Sequence, residues 1–318
     1  MKKIIDEIKK APSIALFAHI VPDGDALGSL FCLTHVLKKM GKSADAYVAG
    51  TVPKRLHFMA DAFGYPYFTE IGENNKSYDL CIALDCGDDK RLGEYKDVFY
   101  AGKTTVNIDH HISNIGYGQL NYVEGTVSST GEILFGFFKE AGIALDETEA
   151  SLLYGSIASD TGCFQFTNTS AKTHRIAALL MESGADIAVF NKKLFLTNSQ
   201  SAMRVRAYVI NNLEYFFDGK AAIACISEEN LKKLNATKED TEGLTDIPKS
   251  IEGVEVAMII KQSDGKTKVS MRTNGYVNAS DFTKAFGGGG HARAAGCTMD
   301  MPLTEAKEKI VKALEEFI

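Results

Sequence analysis

Three short strand-like runs in the first half of the chain, the first two largely apolar, each end on an acidic or imidazole side chain: residues 14–19 on His19, 78–85 on Asp85 and 104–109 on Asp109. Runs of this length with few polar residues fit strands buried on both faces. A parallel sheet with helices on either side meets that requirement. The intervening stretches supply helices. Residues 26–40 carry a helical pattern that stops at Gly41, a residue suited to the left-handed turn after a helix. Residues 45–49 fit a further strand, and 133–141, 147–158 and 171–183 fit helices. The expected fold class is α/β: a mostly parallel N-terminal sheet with helices on both faces over residues 1–190.

The pattern changes after a helical linker expected over residues 191–213. Residues 215–217 and 221–226 flank an Asp218-Gly219 turn, and 254–261 and 268–272 flank Asp264-Gly265. Both read as hairpins. With an amphipathic helix over 303–317, residues 214–318 form a smaller C-terminal α/β domain with a mixed sheet.

Chemistry concentrates at the strand ends. His19 is followed by Asp23 and Asp25, Asp109 by His110 and His111, and Asp160 closes an apolar helix. Singly, Asp23-Gly24-Asp25 reads as a solvated turn and Asp85 as a helix cap. Jointly they deliver acids and imidazoles to the edge of an α/β sheet where ligands bind. Crowded carboxylates raise one another's pKa, and divalent metal relieves that. An oxygen and imidazole set without thiolate favours Mn²⁺ or Mg²⁺ over structural zinc; Mn²⁺ is the expected ion, with Mg²⁺ or Co²⁺ as alternatives. The number of ligands suits two ions, the arrangement that clamps both oxygens of a phosphoryl transfer. His35, His57 and His174 read as structural.

A second signal is Gly287-Gly288-Gly289-Gly290-His291 followed by Ala292, Arg293, Ala294 and Ala295. Glycines let backbone approach an anion closely, and the alanines suit a helix start whose N-terminus faces phosphate. Arg272, at the end of an expected strand, can grip phosphate bidentately.

A net charge of -6 argues against a sequence-independent binder of long duplex nucleic acid. The six cysteines lie apart, mostly in apolar segments and without a Cys-x-x-Cys pair, as reduced structural thiols do. No apolar run reaches membrane-spanning length and no secretory leader is read, so a cytoplasmic location away from membranes is expected. A homodimer is the base-rate expectation.

The pattern His19, Asp23-x-Asp25, Asp85, Asp109-His110-His111, Asp160 resembles that of the DHH phosphoesterase superfamily. The glycine-histidine motif resembles its associated C-terminal domain, with one extra glycine before His291. The size of the chain is most similar to the stand-alone bifunctional oligoribonuclease (nanoRNase) and pAp phosphatase group. The resemblance implies that His19 and Asp23 hold one ion and Asp25, His110 and Asp160 the other, with Asp85 bridging. It implies that His111 faces the scissile phosphate, and that Arg272, Gly288, Gly289, Gly290, His291 and Arg293 hold a substrate phosphate. Ser128, Ser129, Thr130 and Glu132 read as a supporting layer or as an ordinary helix cap. The implied reaction is hydrolysis of short RNA or DNA oligonucleotides and small nucleotide phosphates by water activated at the ion pair. The alternatives are a cyclic or linear dinucleotide phosphodiesterase (c-di-AMP, pApA) and, in another class, an inactive nucleotide-binding regulator.

Overall fold

The computed structural model describes residues 1–61, 77–263 and 265–318. The chain divides into two compact units, Met1–Thr197 and Asn198–Ile318. The first holds strands β1 (Ser13–Ala18), β2 (Ser43–Val48), β3 (Leu80–Leu84), β4 (Thr104–Asp109) and β5 (Leu120–Val123). They lie in the order β2-β1-β3-β4-β5, all parallel. The chain leaves β1 in one direction for β2 and returns on its other side for β3, so the β1/β3 junction is the topological switch point, where such sheets bind ligands.

Both sheet faces are covered, as the unbroken apolar runs require. Ile14 and Leu16 pack into one face, beneath helices α1 (Lys2–Lys10), α2 (Gly24–Lys39), α5 (Thr130–Ala141) and α6 (Glu147–Asp160). Ala15 and Phe17 turn to the other, against Tyr95 and Phe99; α3 is His57–Asp61, and Phe99 lies in α4 (Lys96–Tyr100). Strand β5 and helix α1 are among the elements that escape the sequence reading. Strand β5 lies at the sheet edge and only alternate residues are partly buried, so it lacks an apolar run. Helix α1 buries Ile4, Ile5 and Ile8 on one face while its lysines stay outside. Helices α7 (Ala171–Glu182) and α8 (Ile187–Asn191) complete this unit.

The second unit opens with α9 (Gln200–Asn211). It lies within the stretch read as a linker, yet Val205 and Val209 are buried against Ala224, Ile226 and Ile259 of this unit. Its sheet contains β6 (Glu214–Phe216), β7 (Ala221–Ile226), β8 (Val256–Ser263), β9 (Lys266–Thr273), β10 (Gly289–His291) and β11 (Ala294–Met299), ordered β10-β11-β9-β8-β7-β6. Only the β7–β8 pairing is parallel, giving the expected mixed sheet. Asp218 and Gly219 turn the first hairpin with φ of 52° and 84°. Of the second turn, Asp264 lies outside the described residues, and Gly265 has φ 73°. Helices α10 (Glu228–Lys233) and α11 (Asp246–Lys249) follow β7, α12 (Ala279–Lys284) follows β9, and α13 (Leu303–Leu314) ends the chain.

One local expectation is overturned. No helix starts at residues 292–295; Ala294 and Ala295 begin β11, paired on one side with β10 and on the other with β9. Ladder pairing on both sides overrides alanine's helix preference. The helix that meets the glycines is α12, and it meets them with its C-terminus: Gly287 and Gly288 donate to Lys284 and Thr283, and Gly287 takes φ 70°. A helix C-terminus repels anions, so any phosphate grip here must come from side chains and strand backbone.

Candidate metal centre

Parallel strands β1, β3 and β4 end side by side, which places His19, Asp85 and the Asp109-His110-His111 segment along one sheet edge. Asp23 caps α2, its carboxylate accepting the N–H groups of Asp25 and Ala26. Asp160 is the last residue of α6. Close helix packing carries Asp25 and Asp160 together. A Cβ on Gly28 would come 2.6 Å from the Leu152 carbonyl, and one on Gly131 would overlap the Ser156 hydroxyl. With both positions bare, α2, α5 and α6 approach closely and Ser156 reaches Asp25.

Three overlapping groups result, each with its ligand atoms mutually within 4.8 Å: His19, Asp23 and Asp85; Asp25, His110 and Asp160; and Asp85, His110 and His111. Asp85 Oδ2 lies 3.7 Å from His19 Nε2, and Asp85 Oδ1 lies 3.4 Å from His110 Nε2. Asp85 takes φ 53°, a left-handed backbone that Asp tolerates better than most residues. Val21, between His19 and Asp23, has φ 52°; for a β-branched residue that costs roughly 1–3 kcal/mol, and such strain gathers at functional sites.

The electrostatics call for cations. Burial, then the Asp25 charge, pushes Asp85 well above the usual carboxylate range. Burial likewise raises Asp25, and burial with Asp25 lifts Asp160 to about 7. Burial alone would lower His110, but the Asp160 and Asp85 carboxylates outweigh it and push it up to about 12. His110 Nε2 is buried without a hydrogen bond although Asp160 Oδ2 is 3.1 Å away. A buried imidazole nitrogen ringed by carboxylates yet bonded to none is what metal ligation would satisfy. With the carboxylates ionised and the imidazoles neutral, as metal ligation requires, Asp23, Asp25, Asp85, Asp109 and Asp160 against the Arg91 guanidinium leave about -4 among the described residues, which two divalent ions would cancel. The residues present therefore fit a pair of divalent cations.

Asp109 behaves differently. Burial would raise it, but hydrogen bonds from His111 and Asn114 win and hold its carboxyl below the usual range. Its Oδ1 lies 2.8 Å from His111 Nδ1, which fixes that ring. Asn114, Ser156 and Arg91 escape the sequence reading. Arg91 Nη2 lies 2.8 Å from His19 Nδ1, which is also 2.8 Å from the Ile20 carbonyl. Arg91 comes from a short 3₁₀ segment (Asp89–Tyr95) held to the end of β1 by the Ile20 N–H to Arg91 carbonyl bond. Thr130 is more central than an ordinary cap: its N–H donates to Asp25 and its hydroxyl to Asp85. Ser129 does cap α5, and Ser128 donates to Glu132.

In the second unit Arg272 and His291 share a register row with Ala294 between them. Arg293, in the β10–β11 turn, gives one N–H to the Val277 carbonyl. A Cβ on Gly288 or Gly290 would collide with β11, whereas Gly289 faces open space. His57 and His174 are structural, bonded to the Val52 carbonyl and stacked on Phe164 respectively. His35 lies beside Asp146 and Glu149, and Lys39 Nζ pairs with both carboxylates at 2.8 and 3.0 Å.

A parallel α/β unit with this acid and imidazole edge, joined to a mixed-sheet unit with a Gly-Gly-His strand, defines the DHH class. Residues 13–157 match the DHH family N-terminal domain and 218–318 the DHHA1 domain; the chain belongs to the DHH family of metal-dependent phosphoester hydrolases. It is similar to the probable bifunctional oligoribonuclease and PAP phosphatase NrnA of Streptococcus mutans, 30% identical over 93% of this chain and 92% of that one. It is also similar to the Bacillus subtilis bifunctional oligoribonuclease and PAP phosphatase NrnA, 26% identical over 93% and 92%. An exopolyphosphatase-related protein from Bacteroides fragilis shares the fold with a TM-score of 0.93 at 26% identity, over 99% of this chain and 95% of that one. RecJ of Thermus thermophilus, solved in complex with Mn²⁺, has a TM-score of 0.61 at 12% identity, over 100% of this chain and 55% of that one, a likeness of fold. Among the described residues no helix is long and apolar enough to cross a membrane.

Proposed function

We propose that this chain hydrolyses oligonucleotides a few nucleotides long to nucleoside 5′-monophosphates, and pAp to AMP and phosphate. The observation that carries the reading is the set of three overlapping ligand groups, with Asp85 standing between His19 and His110, on a chain whose relatives are named for these two activities over nearly their whole length. His19 and Asp23 would hold one divalent ion, Asp25, His110 and Asp160 the other, with Asp85 between them. Manganese suits this set of carboxylates and imidazoles, and Mg²⁺ and Co²⁺ are the other candidates. When bound, the ions would supply Lewis acidity and offset charge on phosphoryl oxygens.

The chain's own groups do the rest. Asp109 accepts from His111 Nδ1 and fixes the ring, and in its doubly protonated form the ring would donate from the other nitrogen to a phosphoryl oxygen as negative charge grows there. Arg272 and His291 hold a substrate phosphate, Gly289 keeps the approach clear, and Gly288, Gly290 and Arg293 shape that hairpin. The natural substrates are short RNA or DNA strands and small nucleotide phosphates, met in the cytoplasm.

The test is turnover of pAp, pApA, a pentanucleotide, cyclic di-AMP and pyrophosphate by purified protein with Mn²⁺. The reading expects pAp and the short linear strands to be cleaved, with Asp85→Asn inactive. Cleavage of pyrophosphate or the cyclic compound alone, or full activity of that variant, would overturn it.

A further inference from the structure

Ladder pairing fixes which side chains share a sheet face. In the second unit, His291, Ala294, Arg272 and Ala257 lie in register across β10, β11, β9 and β8. Two residues along, the row is Gly289, Gly296, Ser270 and Ile259. Two residues further it is Thr298, Lys268 and Lys261. Ile259 is covered together with Val205 and Val209 of α9, whereas Gly289, His291, Lys268 and Thr298 are exposed. The open part of the face is thus a trough with a glycine floor. Arg272 stands at one end and the lysines at the other, four residues along β9, or about 14 Å.

The lysine end is costly to keep. Lys261 and Lys268 are direct cross-strand partners, and like charges so placed repel. Lys261 is partly buried and donates to Thr241 Oγ1 at 3.0 Å. Burial and the Lys268 charge lower its pKa, with Glu242 acting in the opposite sense. Lys268 has no side-chain partner among the described residues. An exposed lysine without an ion-pair partner among the described residues, set beside a second lysine and facing an open trough, complements a polyanion.

We propose that Lys268, backed by Lys261, holds a second backbone phosphate of the oligonucleotide whose first phosphate sits on Arg272 and His291. This rests on the proposed function. It makes the face a reader of length: the two phosphates of pAp flank a single ribose and cannot reach both ends of the trough, whereas a longer strand can.

The experiment uses the full chain. Affinities for pAp and for a pentanucleotide are measured calorimetrically in chelator, so that nothing is cleaved, and KM is measured with Mn²⁺. Lys268→Ala should weaken the pentanucleotide roughly fivefold and leave pAp within about twofold, and Lys268→Arg should restore binding. The slope of log affinity against log salt for the pentanucleotide should become shallower by about 0.7, the share of one single-strand phosphate contact. Equal losses for both ligands, or no loss for either, would overturn the inference while the wild-type activity stood. If the unmutated protein neither bound nor cleaved any oligonucleotide, the functional reading beneath would fail and take this one with it.

Discussion

Asp25 accepts the backbone N–H of Thr130 at 2.7 Å, a bond that joins positions 105 residues apart. The Gly131 N–H adds a second bond at 3.0 Å. A wholly buried carboxylate therefore sits at the N-terminus of α5, where the first N–H groups of a helix lack partners and stabilise negative charge. The helix end offsets part of the burial cost, yet Asp25, like Asp85 and Asp160, keeps a raised pKa. The metal-free centre is consequently a stored electrostatic cost, and removing charge from it should stabilise the fold while disabling the site.

Asp85→Asn tests this most cleanly, because Asn tolerates the left-handed backbone at φ 53°. In chelator the variant should melt at or above the wild-type temperature. With Mn²⁺ at a hundredfold excess over its dissociation constant, wild type should gain about 2.7 kcal/mol per occupied site, and the variant less than about half of the total. Equal manganese-induced gains in thermal melts would contradict a ligand role for Asp85.

Asp160 gives the centre a pH signature. Its folded pKa of about 7 lies above the ordinary carboxylate value of 3.8. A raised carboxyl pKa means that the fold prefers the protonated form. The contribution is complete below the unfolded pKa and is lost as pH climbs through the folded one. In chelator, Asp160→Asn should therefore gain on wild type between about pH 4 and 7, by up to about 4 kcal/mol. Manganese should reverse the trend for wild type, since ligands must be deprotonated to bind it. Denaturant unfolding at several pH values measures both; a difference independent of pH would remove Asp160 from the coupled cluster.

Much of this centre was legible in the sequence because its ligands punctuate buried strands. β1 and β3 are apolar on both faces, so His19 and Asp85 stand out as the polar ends of unbroken runs, while β4 is buried but carries Thr105 and Asn107, and Asp109 stands out through the His110-His111 pair that follows it. What escaped depends on contacts that no periodicity records. Arg91 reaches His19 from a 3₁₀ segment whose position follows from one backbone bond and from the missing side chain of Gly93, where a Cβ would meet Ala49 and Ile20. Ser156 is an unremarkable serine in an apolar helix until Gly131 on α5 lets it approach Asp25. The alanines after His291 carry a real helix preference, and only the two neighbouring strands decide against it.

Gly131→Ala should report on that helix junction. Its new methyl would overlap the Ser156 side chain, forcing α5 from α6 and loosening the donors around Asp25. A loss of about 1–3 kcal/mol is expected, together with weaker manganese binding. Pairing it with Ser156→Gly should recover much of the stability by vacating the space, while manganese affinity stays reduced because one of the two hydroxyls that donate to Asp25 is gone and only Ser29 remains. Additive destabilisation in the double-mutant cycle would show that the two positions do not meet.

The glycine strand separates folding from binding within four residues. A Cβ on Gly288 would collide with the Gly296 carbonyl, and one on Gly290 would lie 2.5 Å from the Ala294 carbonyl at a backbone φ of 145°. Gly288→Ala and Gly290→Ala should each destabilise the second unit by about 1–3 kcal/mol, since backbone atoms of a paired strand cannot step aside. Gly289 has nothing within 4 Å of the position a Cβ would take. Gly289→Ala should therefore melt like wild type, yet its methyl stands on the open face between the Arg272 and Lys268 rows and should raise KM for pAp and for short strands severalfold with little change in kcat. Thermal melts and steady-state kinetics on the three variants give the pattern directly. A Gly289→Ala protein with unchanged KM would mean that substrate does not lie across this face.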